Sequence, residues 1–113
     1  MGIDIQGNEL AKKVVSGSFT ATGNSLGLPV LEATKEHPIF INLSVYGTFS
    51  GTWSLQRSFD NGTTWNDTTK NDGTANSFTA AVENRFDEYE SGVLYRISCS
   101  SYTSGTIYYR MSY

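Results

Sequence analysis

Ile39-Phe40-Ile41-Asn42-Leu43-Ser44-Val45-Tyr46 is the stretch that decides the fold class. Ile39, Ile41, Leu43 and Val45 fall on one face, with Asn42, Ser44 and Tyr46 on the other. Alternation with period two, sustained over eight residues, specifies a strand with one side buried. Beyond it, Gly47 to Gly51 turns the chain. Trp53, Leu55 and Phe59 then share a face opposite Ser54, Gln56 and Ser58. Asn61-Gly62 is a strong hairpin signal, because both residue types accept positive φ. Trp65 leads into a short strand, Asn71-Asp72-Gly73 turns again, and Phe78, Ala80 and Val82 alternate.

Asn84 to Gly92 reads as an acidic connection carrying Phe86 and Tyr89. The chain then closes on a hairpin: Val93, Tyr95, Ile97 and Cys99 face inward, Ser104-Gly105 turns, and Ile107, Tyr109 and Met111 return. On the N-terminal side, Gly23 to Pro29 reads as a loop. Val14 to Thr22 reads as a strand weakened by Gly17, with Val15, Phe19 and Ala21 set against Ser16, Ser18 and Thr20. The first dozen residues are polar, with Ile3, Ile5 and Leu10 as their large apolar members.

About eight strands, turn signals between them and no helical period predict an all-β protein. The expected architecture is an antiparallel two-sheet β-sandwich, jelly-roll or immunoglobulin-like. Residues 1–13 form an N-terminal arm or edge strand, and 14–113 form the sandwich domain.

The composition agrees with one such domain. The 113 residues suffice for a single core. One cysteine, Cys99, excludes a disulfide within the chain, so packing alone holds the fold. Charged residues make up 17%, with 8 basic against 11 acidic and a net charge of −3. No basic stripe interleaves with aromatics, which argues against nucleic acid as a partner. The most apolar run, Pro38 to Tyr46, is interrupted by Asn42 and Ser44 and is too short to span a membrane. Met1 to Gln6 lacks the pattern of a secretion signal, and Gln6 stands where a myristoylation motif requires Ser or Thr. The expected site of synthesis is a cytoplasm.

No residue grouping predicts catalysis, a cofactor or a metal. Ser58-Phe59-Asp60-Asn61-Gly62-Thr63-Thr64-Trp65 matches the Asp-box pattern, Ser-x-Asp-x-Gly-x-Thr-Trp, of sialidases and related β-propellers. A propeller needs several blades of about forty residues, and the box occurs once here. Its physics is that of a turn: the Asp60 carboxylate accepts turn amides, Gly62 takes positive φ beside Asn61, and Trp65 packs beneath. Gly92 to Cys99 resembles the penultimate strand of immunoglobulin-like domains, with Tyr95 near its start and Trp53 as a buried core tryptophan, but the Tyr-x-Cys spacing and the second cysteine are missing.

Cys99 reads as a small buried hydrophobe rather than a reactive thiol. His37, the lone histidine, precedes Pro38 at a strand entrance. One histidine and one cysteine are too few for zinc. Glu83, Asp87, Glu88 and Glu90 lack the spacing of a calcium loop and read as a solvated face. The acceptor patterns at Asn42, Asn61 and Asn66 carry no weight without a secretion signal.

Four pieces in order carry a family resemblance. They are Val15 to Gly23, Gly47 to Thr52, Leu55 to Trp65, and Gly92 to Ile97 with Tyr102 to Ile107. This order resembles small β-sandwich virion proteins of tailed bacteriophages, of the capsid cement or decoration type, over most of the chain from Val14 onward. The resemblance implies a non-enzymatic structural protein, made in the host bacterial cytoplasm and located on the capsid surface of the virion. It would bridge subunits of the major capsid protein, with copies of itself as a further candidate partner.

The candidate contacts are Ile3, Ile5 and Leu10 in the arm, Leu26 and Leu28 in the loop from Gly23 to Pro29, and Phe86 and Tyr89 in the acidic connection. The alternative is a receptor- or carbohydrate-binding module of a tail or fibre. There, outward-facing Tyr46, Tyr102 and Tyr108 would stack on sugar rings.

Overall fold

A computed structural model describes the backbone of Gly2–Ile3 and Glu9–Leu10, and residues 13–69, 73–74 and 76–113 in full. Of the turn at Asn71-Asp72-Gly73, only Gly73 is among the described residues. The strands are β1 (Gly2–Ile3), β2 (Glu9–Leu10), β3 (Val14–Phe19), β4 (Gly23–Asn24), β5 (Leu28–Pro29), β6 (Ile39–Tyr46), β7 (Phe49–Ser58), β8 (Asn66–Asp67), β9 (Ser77–Phe78), β10 (Val82–Glu88), β11 (Leu94–Gly105) and β12 (Ile107–Ser112). The described residues contain no helix.

β1 and β2 pair with each other. The remaining strands form two antiparallel sheets. Sheet I has the order β10-β6-β12-β3. Sheet II has the order β4-β11-β7-β8, with β5 also on β11 and β9 also on β7. Taking β4 with β5 and β8 with β9 gives eight positions, in agreement with the strand count expected from the sequence.

The register shows how the chain reaches this order. Phe19 pairs with Ile107, Asn24 with Ser98, Pro29 with Leu94, Val45 with Val82 and Arg57 with Asn66. In each pair the partners lie at nearly equal distances along the chain on either side of Asn61-Gly62. The domain is therefore one long antiparallel hairpin with its tip at Asn61-Gly62, rolled up so that successive segments alternate between sheets. Two further ladders, β7 with β11 and β6 with β12, close the roll. This is jelly-roll order, not the immunoglobulin order in which consecutive hairpins stay within a sheet.

Rolling explains where the sequence reading fails. The closing hairpin expected at Ser104-Gly105 does not exist: β11 belongs to sheet II and β12 to sheet I. Gly105 is instead a corner between sheets, at φ 85°, with the Thr48 carbonyl lying where a side chain would begin. Gly47, at φ 109°, forms the neighbouring corner between β6 and β7, and Thr106 N–H donates to Thr48 O at 3.2 Å. Phe78 and Val82 likewise belong to different sheets, in β9 and β10, with Ala80 exposed between them.

The inward faces are those of the alternating pattern. Ile41, Leu43 and Val45 meet Trp53, Leu55, Val93, Tyr95, Ile97 and Cys99 across the core, with Ile107, Tyr109 and Met111 beside them. Each fully buried large side chain contributes about 1.5–3 kcal/mol of transfer free energy. Trp53 is fully buried, and its indole N–H donates to Ala80 O at 3.1 Å, so burial leaves no orphan donor. Phe59 departs from its expected face: it lies past the end of β7, is exposed, and stacks 4.7 Å from the Arg57 guanidinium. The segment from Asn84 is not a loop, because Val82–Glu88 pairs with β6 through Glu88↔Ile39. The ends of the expected loop from Gly23 to Pro29 are likewise β4 and β5.

Candidate binding face and inter-sheet cleft

The outward positions of sheet I follow from the same alternation that buries Ile41, Leu43 and Val45. They are Val14, Ser16 and Ser18 on β3, Phe40, Asn42, Ser44 and Tyr46 on β6, Tyr108 and Arg110 on β12, and Glu83, Arg85 and Asp87 on β10. Val14, Phe40, Tyr46 and Tyr108 are each 44–54% exposed. Isolated exposed apolar side chains need no explanation, but several on one face mark a contact surface.

Tyr46 and Tyr108 are register partners. Their rings stack with centroids 5.3 Å apart at 15°. At the other end of β6, the Arg85 guanidinium lies 5.6 Å from the Phe40 ring. Between these ends the surface is polar: Ser44 donates to the Glu83 carboxylate, and Arg110 donates to Ser112 Oγ at 2.7 Å.

The outer face of sheet II is built differently. Arg96 Nε donates to Gln56 Oε1 at 2.8 Å, and Gln56 Nε2 donates to Asp67 Oδ1 at 2.9 Å. This ladder runs across three strands. Arg96 also lies 4.3 Å over the Trp65 ring. The polar groups are satisfied by one another, and Ser54, Ser98 and Ser77 fill the rest with small side chains.

A cleft of about 190 Å³ opens where the β10 edge of sheet I meets the β8 and β9 edge of sheet II, lined by Leu55, Arg57, Thr68, Thr69, Asn76, Phe86, Asp87 and Tyr95. Arg57, which alternation places inward, lines it, and the inward Glu88 lies behind Arg57 and Tyr95. Glu88, 7% exposed, accepts the Tyr95 hydroxyl at 2.7 Å and the N–H groups of Tyr89 and Glu90 at 3.0 and 3.1 Å. Arg57 lies 3.7 Å from Glu88 Oε1, and its buried Nε has no hydrogen-bond partner among the described residues. Burial, with the hydrogen bond to Glu88, raises the Tyr95 phenol far above its ordinary value. A fixed, neutral hydroxyl donating to a buried carboxylate is a structural clasp between sheets and offers no nucleophile.

Sequence reasoning did not single out Arg57 and Glu88 as a pair. The signal was their parity: Arg57 continues the inward series Trp53, Leu55, and Glu88 continues Val82, Phe86.

The expected contact residues do not converge on one surface. Ile3 and Leu10 lie in β1 and β2, and Ile5 is outside the described residues. Leu26 is 79% exposed beside sheet II. Leu28 is a correction: it is fully buried, because it pairs with Tyr95 and shares that residue's inward face. Phe86 is also inward, half-buried, with its ring 4.7 Å from Tyr95. Tyr89 follows the end of β10 and is half-exposed, and hydrogen bonding to Asp87 pushes its phenol up. Of the tyrosines expected to face outward, Tyr46 and Tyr108 do so, whereas Tyr102 packs against the core.

The Asp-box stretch forms the tip of the rolled hairpin. Asp60 Oδ1 accepts from Ser58 Oγ at 2.8 Å and from Thr64 N–H at 2.7 Å, and Gly62 N–H donates to Ser58 Oγ at 2.8 Å. Asn61 and Gly62 have φ of 59° and 91°. Trp65 Nε1 donates to Gly62 O at 3.0 Å. These bonds all close within the turn. Hydrogen bonds from Thr64 and Ser58 lower the Asp60 pKa to about 2.

Cys99 is buried. Burial pushes its thiol up, the opposite of what a nucleophilic thiol needs. His37 stays in its loop, its N–H donating to Thr34 Oγ1 at 2.9 Å. Among the described residues, no three His, Cys, Asp or Glu side chains are grouped to hold a metal ion.

The chain matches no protein-family model, no curated protein and no solved structure. What it can do is therefore argued from its surfaces alone.

Proposed function

We propose that this protein is a structural virion component that binds the assembled capsid of a tailed bacteriophage and stabilises it by bridging subunits of the major capsid protein. The observation that carries the reading is the outer face of sheet I. That face carries Val14, Phe40, Tyr46 and Tyr108 at its margins and sets polar pairs between them. Exposed aromatics around satisfied polar groups suit a protein interface, where tyrosine supplies contact area at little entropic cost. The rolled hairpin beneath it makes that face rigid, so binding does not pay to order it.

The mechanism is physical rather than chemical. A shell under pressure from packed genome parts at the seams between its subunits. A rigid domain touching two subunits turns each contact into an intramolecular partner of the other, and the combined grip exceeds either alone. Preference for the assembled shell stabilises that state by mass action. The β1–β2 pair, which among the described residues pairs with no other strand, is a candidate second point of contact. Neither nucleic acid nor membrane is part of the reading.

A second reading has one specific support. The stacked Tyr46 and Tyr108 rings also suit a sugar ring, as in a receptor-binding module of a tail or fibre. Co-sedimentation separates the two. Saturable binding to assembled shells, absent with free capsid subunits, and a copy number in virions comparable to the major capsid protein support the capsid role. A handful of copies per virion, with saturable binding to an oligosaccharide, overturns it.

A further inference from the structure

The four sheet edges are guarded unequally. A strand edge with unpaired N–H and C=O groups is a template for another strand, and proteins block it with charge, proline or brevity. β10 carries Glu83, Arg85, Asp87 and Glu88 among its seven residues. β8 and β9 are two residues each, with Asp67 in the first. β4 and β5 are equally short, and β5 ends in Pro29. β3, Val14-Val15-Ser16-Gly17-Ser18-Phe19, has six residues and none of these devices. Among the described residues, only β12 pairs with it.

The ladder with β12 shows which groups face outward. Lys13 and Tyr113 exchange both backbone hydrogen bonds, at 2.8 and 3.0 Å. In an antiparallel pair such residues alternate with ones whose N–H and C=O point away. The register from Ser112↔Val14 to Ile107↔Phe19 thus turns Val15, Gly17 and Phe19 toward β12. The backbone groups of Val14, Ser16 and Ser18 point out from the edge.

We propose that β3 pairs antiparallel with β3 of a second copy of this chain, about a two-fold axis at Ser16, joining two copies of sheet I into one continuous sheet. The outward groups are symmetric about Ser16. Placing Ser16 opposite the second copy's Ser16 sets Val14 opposite its Ser18, and every outward N–H and C=O finds a partner. The absence of charge on β3 means that no like charges meet across the axis. Val15 faces the second copy's Gly17, where a side chain would collide with the Tyr109 hydroxyl 2.6 Å away, so the large residue meets the small one. The pairing is isologous and closes at two copies. It stands independently of capsid binding.

Analytical ultracentrifugation and amide exchange test it on the isolated protein. A dimer is expected, with the Val14, Ser16 and Ser18 amides protected only when it forms. Ser16→Pro removes an outward N–H and no bond of the β3–β12 ladder, a placement edge strands tolerate. It should leave a folded monomer. Ser16→Glu sets two carboxylates across the axis and should dissociate the dimer at neutral pH, with recovery once the pH falls below the ordinary glutamate value of about 4.3. A wild-type monomer at every concentration overturns the proposal. So does a dimer that keeps those three amides unprotected or survives both substitutions.

Discussion

Tyr95 donates its hydroxyl to Glu88 at 2.7 Å, and this single bond joins a central strand of one sheet to the edge strand of the other at the mouth of the core. Tyr95→Phe keeps the ring against Phe86 and removes only the donor. Glu88 retains the two backbone amides and the Arg57 guanidinium 3.7 Å away but loses its hydrogen bond across the core. The expected loss is about 1–3 kcal/mol, as for hydrogen bonds to buried charged groups. Urea denaturation checks it: the midpoint should fall while the slope stays unchanged.

The same hydroxyl sets an alkaline limit. Burial raises the Tyr95 phenol far above its ordinary value, and burial also raises those of Tyr109 and Tyr113. The folded state therefore holds these protons more tightly than the unfolded chain. Their contribution is whole below the unfolded tyrosine value of about 10 and is lost as pH climbs toward the folded values. Stability measured upward from pH 7 should be flat, fall slightly from about pH 8.5 because burial also raises the Cys99 thiol, and fall further from about pH 10. Tyr95→Phe should make that fall shallower, and an unchanged slope would contradict the assignment to Tyr95.

At the hairpin tip the sign reverses. Asp60 titrates near 2, below its ordinary 3.8, because Thr64 and Ser58 donate to the charged form. The carboxylate supports the turn fully above the ordinary value, and that support disappears as pH falls through about 2. The Thr64 amide resonance, followed by NMR, should shift with a midpoint near 2. A midpoint at the ordinary carboxylate value would remove the turn role from Asp60. Asp60→Asn should speed exchange of the Thr64 amide.

Gly105 joins two sheets that a hairpin would have left as one. Its φ of 85° and the Thr48 carbonyl beside it leave no place for a methyl group. Gly105→Ala should destabilise by at least about 1–2 kcal/mol, the cost of left-handed backbone for a residue with a Cβ. Thermal denaturation measures it. Gly92→Ala, at φ 90° but with open space around it, is the control for backbone strain alone and should cost less.

Tyr46→Ser and Tyr108→Ser together remove the stacked pair from the outer face of sheet I. The fold should lose under about 1.5 kcal/mol, the contribution of an aromatic pair. If this face docks on the capsid, the doubly substituted protein should bind assembled shells at least about tenfold more weakly, as expected when aromatic anchors of an interface are lost. Unchanged shell binding with a lowered melting temperature would place the contact elsewhere.

Alternation alone identified the all-β class, the inward faces of β6, β11 and β12, and the buried Trp53, because a strand's side-chain period is local and two residues long. The turn at Asp60 to Trp65 was equally legible, since its partners lie within eight residues. Strand order was not. Ser104-Gly105 looks the same whether it closes a hairpin or rounds a corner between sheets, and only the ladder of β11 on β7 and of β12 on β6 distinguishes them. Leu28 was misplaced for the same reason: its burial depends on Tyr95, far along the chain. The clasp of Arg57, Glu88 and Tyr95 arises from rolling, which brings two inward charges on separate strands to one mouth. Local periodicity determined which way the side chains of the long regular strands face, and long-range pairing decided what they face.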